Sequence, residues 1–153
     1  MKKLKALTTH LINAGLAKAS AMDSWIEGGL FKPTAKDVGT GLLILHFEYK
    51  SVISLENFSG NAALLAAQVA VWMHENANTD DGDDPEVSFD ADKNDSGLFD
   101  VELETHFSEP IQIIESANGP LMLNGKRYDI GDAEIWTAEE FSLDVNGQVE
   151  AEQ

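Results

Sequence analysis

An α+β fold, with a largely antiparallel sheet, two main helices packed on one face and extra C-terminal β-hairpins, is what this sequence predicts. Three observations predict it. Apolar residues recur at helical spacing over 3–19 and again over 62–76. Short runs rich in β-branched and aromatic residues fill much of the remainder. Asn124-Gly125 and Asn146-Gly147 each suit the two positive-φ positions of a type I′ hairpin turn. The order helix, two strands, helix, several strands lacks the regular alternation of a parallel α/β sheet.

Taken in order, Leu4, Leu7, Leu11 and Ala14 form one helical face over 3–19, widened by Ile12 and Leu16. Residues 23–31 read as a short helix ended by Gly28-Gly29, and Pro33 and Gly39 as an irregular connection. Residues 42–48 and 51–57 read as strands. A tight hairpin at Tyr49-Lys50 is the simplest link between them, with one continuous bent strand as the competing reading. The segment 62–76 is the strongest helix, with Leu65, Val69, Trp72 and Met73 as its stripe and Asn61 or Ser59 as its cap. Residues 86–92 and 98–107 come next as strands, then 111–115 after Pro110, the hairpin around 124–125, a strand at 133–137 and the hairpin around 146–147. At 153 residues the chain is expected to be a single domain, with 79–86 an exposed acidic loop and 117–153 a hairpin-rich C-terminal extension.

Charge excludes more than it selects. Net charge is −17, but residues 1–50 sum to +3 and the remaining chain to −20. Such a field repels phosphates, so sequence-independent nucleic-acid binding is disfavoured. Self-association must then use apolar or basic patches, and Lys2, Lys3 and Lys5 of the first helix are candidates. Trp25 and Trp136, in segments of weak pattern, are amphipathic indoles equally suited to a core or an interface. No Cys is present, which removes disulfides, thiolate metal sites and cysteine nucleophiles, and suits a reducing cytoplasm. No apolar run approaches the roughly 20 residues that span a bilayer. Met1-Lys2-Lys3-Leu4-Lys5 looks like the start of a signal peptide, but Thr8, Thr9, His10 and Asn13 interrupt the apolar stretch after it, so a secreted precursor is not expected.

Candidate chemical motifs are incomplete. Asp90-x-Asp92-x-Asn94 matches the start of a calcium loop, but Asp95 stands where its glycine belongs and Val101 where its bidentate glutamate belongs. Solvated turn residues are the plainer reading there, as for the acids of 80–84. His10, His46, His74 and His106 show no i, i+4 metal pair, although His46 and His106 could face each other across strands. Glu102 and Glu104 alternate as on any wet sheet face. No nucleophile elbow, P-loop or GxGxxG occurs, so no enzyme, metal or cofactor site is expected.

Phe58-Ser59-Gly60, Trp72 to Asn76, Ser88-Phe89-x-Ala91-Asp92, Asn94-Asp95-Ser96 and Phe99-Asp100 together resemble tail completion protein R of contractile-tailed temperate bacteriophages. Leu143 to Val149 is similar to that family's closing hairpin, and a weaker likeness spans Leu4 to Leu30. The segments 79–86 and 116–140 do not look family-typical. The resemblance implies a structural protein of the virion tail, present in host cytoplasm during assembly, that finishes the tail at its head-proximal end. Its implied partners are further copies of itself, tail tube and sheath proteins, and head–tail connector proteins, with no membrane and no specific nucleic acid. By analogy with terminators of similar architecture it implies a ring, commonly hexameric. Two other readings compete. A phage-encoded acidic DNA mimic rests on net charge alone, and a calcium-binding module rests on the acids of 80–95.

Overall fold

The computed structural model describes residues 1–76 and 85–131. Two helices, α1 (Lys2–Asn13) and α2 (Ala62–Asn76), accompany six strands: β1 (Met22–Asp37), β2 (Leu42–Phe58), β3 (Val87–Lys93), β4 (Phe99–Glu115), β5 (Leu121–Leu123) and β6 (Lys126–Gly131). The strands form one antiparallel sheet of order β1-β2-β4-β6-β5, and β3 pairs with β4 outside that path. The α+β expectation is correct. The expected strand at 133–137, the hairpin at 146–147 and most of the acidic loop lie outside the described residues.

Contacts gather into two compact units. The first comprises residues 1–29 and 49–107, and so holds both helices, β3 and one end of each of the three long strands. Its core is Leu4, Leu7 and Leu11 of α1, the α2 stripe, and Tyr49, Ile53, Leu55, Val101, Leu103 and Phe107 of the sheet. Burial along β4 alternates from Val101 to Glu109, as a strand with one covered face requires. Trp72 meets Phe107 edge-on with ring centroids 5.9 Å apart, and Phe107 meets Tyr49 at 5.8 Å. The second unit takes residues 30–48 and the chain from Ser108 onward. Phe31 stacks on Phe47 at 6.0 Å, and the β5–β6 hairpin turns at Asn124-Gly125 with φ of 49° and 81°. Those angles are the type I′ signature that the sequence predicts.

Five sequence expectations need correction. The first helix stops at Asn13, well short of residue 19. Gly15 takes φ +75°, its N–H reaches the Ile12 carbonyl, and the Leu16 N–H reaches Leu11, which together close a Schellman end. Residues 23–31 are strand, not helix. Gly28 does adopt left-handed φ, but β1 continues through it where a helix end was expected. Pro33 lies inside β1, which a strand at the sheet edge tolerates, while Gly39 (φ +88°) turns the chain back into β2. No hairpin forms at Tyr49-Lys50, because β2 runs unbroken with Tyr49 buried and Lys50 bridging to both neighbouring strands. Likewise β4 continues through Pro110. On one flank β3 pairs residues 99–105 and β6 pairs 112–115, and Pro110 falls in the interval between them.

Candidate assembly interface

Helix α2 is positioned by its own sequence. Asn61 Oδ1 accepts the Leu64 N–H at 3.1 Å, and the Asn61 carbonyl takes the first helical bond from Leu65. Leu65, Val69, Trp72 and Met73 are all buried, as the spacing predicts. His10 Nε2 lies 3.0 Å from Gln68 Oε1 and joins α1 to α2. The opposite face of α2 is also apolar. Leu64 and Val71 are 49% and 55% exposed among alanines, so the outer face of α2 is apolar over most of its length. Between α2 and β3 an open groove of about 420 Å³ is lined by Ala66, Ala70, Met73, Val87, Phe89 and Leu103, among others.

One polar cluster had no clear sequence signal. Asn94 Oδ1 accepts the N–H groups of Ser96 and Leu98, and its Nδ2 donates to Asn57 Oδ1 at 2.7 Å and Asp100 Oδ1 at 3.2 Å. Asp100 also accepts the Asn57 N–H at 3.0 Å, which holds Asn57 at φ +55°. The cluster ties the β3–β4 turn to the end of β2. It gives Asn94, the third position of the incomplete calcium motif, a structural duty. Among the described residues no group of three or more His, Asp or Glu side chains is placed to hold a metal ion. The glycine at Gly60 belongs to the same corner, since a Cβ there would lie 3.0 Å from the buried Phe58 ring.

The sheet carries an acidic face. In the β3–β4 register Asp90 stands opposite Glu102, Asp92 opposite Asp100, and Ser88 opposite Glu104. Like charges in direct register oppose pairing. Lys50 relieves one end: its Nζ is 2.9 Å from Glu104 and 3.7 Å from Glu27. The hydrogen bond to Glu104 holds the Lys50 ammonium above its ordinary pKa, with Glu27 adding to the effect. Occupation of Glu104 by Lys50 also weakens the idea of a free, phosphate-like carboxylate row. One edge of the sheet is formed by β1, none of whose residues is buried. Leu30 and Phe31 are 57% and 51% exposed there, with Lys32 and Lys36 beside them.

Of the residues singled out from sequence, Lys2 and Lys5 are exposed on α1, whereas Lys3 is enclosed at 2% exposure. Trp25 is exposed on β1 and Trp136 lies outside the described residues. His46, His74 and His106 are exposed, and His46 and His106 belong to different units. No described helix is long and apolar enough to cross a membrane.

A family model for P2 phage tail completion protein R (GpR) matches residues 1–132. The chain belongs to that family. The match takes in both helices and all six described strands, and it extends through the acidic loop and residues 116–131, where the sequence had looked atypical. It stops before Leu143 to Val149. A relative from Haemophilus phage HP1 is 34% identical over 134 residues, covering 84% of this chain and 80% of its own length. That relative is described as an uncharacterized 19.2 kDa protein in the rep-hol intergenic region. No solved structure matches. Within the R family frame, the motifs that carried the resemblance have physical roles here: Phe58 to Gly60 and Asn94 to Asp100 build the corner, and Trp72 fills the core.

Proposed function

We propose that this R-family chain completes a phage tail at its head-proximal end, as a ring subunit on which the head is joined. Family membership over residues 1–132 carries the reading. The ring rests on analogy with terminators of similar architecture, and two features support it: the outer apolar face of α2 and the unburied β1 edge. Its partners are further copies of itself, tail tube and sheath proteins, and the head–tail connector. It acts by binding in fixed stoichiometry and turns over no substrate. The chain is made in host cytoplasm and ends in the virion tail. Acidic faces left on the ring repel DNA and keep it from adhering during passage. Exposed Lys2, Lys5 and Trp25 are candidate contacts.

Native mass measurement and electron microscopy of the purified chain, alone and with tail tube and sheath proteins, test this. Annular particles and retention on tails are expected. A strict monomer that never joins tails overturns the proposal.

A further inference from the structure

Resting on the ring reading, we propose that the 30–37 stretch of β1 in one copy adds as a strand to the β3 edge of the next, lodging beside α2. The β3 edge has two unlike sides. Val87, Phe89 and Ala91 face with Leu103 and Val101, and Val87, Phe89 and Leu103 line the groove. Ser88, Asp90 and Asp92 face with Glu104, Glu102 and Asp100, where acids oppose acids in register. A strand arriving at this edge must therefore alternate apolar and basic residues. Within that stretch residues 31–36 do so: Lys32, Thr34 and Lys36 share one side, and Phe31, Pro33 and Ala35 share the other. The lysines meet the carboxylates that Lys50 does not reach, while Phe31 and Ala35 turn toward the groove.

Charge also sets the choice of occupant. Two β1 edges would bring Lys32 and Lys36 against their copies, and two β3 edges would bring Asp90 and Asp92 together. Each like pairing repels and the unlike pairing attracts, which selects a head-to-tail contact of the kind that closes into rings. Pro33 removes at most one ladder hydrogen bond and limits how far β1 can template an indiscriminate sheet.

Two charge-reversed full-length chains test this by sedimentation at low salt. One carries Lys32→Glu with Lys36→Glu, the other Asp90→Lys with Asp92→Lys. Each alone should associate at least about tenfold more weakly than the native chain, and an equimolar mixture should recover assembly. Because the chain has no native Cys, Thr34→Cys mixed with Ser88→Cys, Asp90→Cys or Asp92→Cys should give a disulfide-linked mixed dimer in at least one register. Native-like assembly of both reversed chains, or weakening of each without recovery on mixing, overturns the inference. So does β1–β1 cross-linking, or an assembled protein with no mixed cross-link, the result expected if residues 132–153 cover either edge. In those cases the ring reading survives. A native chain that is monomeric alone and with tails removes that reading as well, and this contact with it.

Discussion

Single side chains fix the corner where β2, α2 and the β3–β4 turn converge. Asn94 serves four partners from one amide, so Asn94→Ala should lower stability by about 0.5–1.5 kcal/mol in a denaturant titration. Asn94→Asp should lose less, because it keeps the acceptor but sets a charge beside Asp100. Asn61→Ala removes the α2 cap and should cost about 1 kcal/mol, with Asn61→Asp near native. Lys50 gives a pH statement with a definite sign. Its pKa is raised on folding, so its contribution is fully present below the unfolded lysine value and is lost as pH rises through the folded one. The difference in unfolding midpoint between the native chain and Lys50→Gln should thus stay level through neutral and mildly alkaline pH. It should shrink only above about pH 10.4. A difference that changes between pH 7 and 9 would contradict the assignment.

Among the elements, α2 has two apolar faces with different duties. Leu65→Ala opens the core beneath the helix and should cost about 2–5 kcal/mol of subunit stability. Leu64→Ser with Val71→Ser alters exposed positions, so subunit stability should change by no more than about 0.5 kcal/mol per site. If α2 docks, retention on tails should fall in that double variant while its unfolding midpoint holds. Local signals read α2 well because cap, stripe and propensity all lie within one helix length. They read β1 poorly. Trp25 to Phe31 holds two glycines and an uncertain period, and its strand state depends on β2, a partner that comes later in the chain.

For the whole molecule, the division between a +3 first third and a −20 remainder makes self-association depend on salt. Raising ionic strength from about 0.01 to 0.15 M shortens the Debye length from about 30 to 8 Å, and should weaken a contact between lysine and carboxylate edges. Association that is insensitive to salt would instead favour the apolar face of α2. Much of the architecture was legible in the residues: the α+β class, the α2 stripe and cap, and the Asn124-Gly125 turn. Each is a short-range matter of torsion angles and helical spacing. The acidic pairs Asp90–Glu102 and Asp92–Asp100 were not, because register joins residues that no local pattern links. Sequence alone therefore determined the fold class, the α2 helix with its cap, the Asn124-Gly125 turn and, through its resemblance, the family. Only the tertiary structure decided that β1, β2 and β4 run unbroken and which edges they leave open. A strand is completed by hydrogen bonds to another strand, and that partner is chosen by the folded chain as a whole.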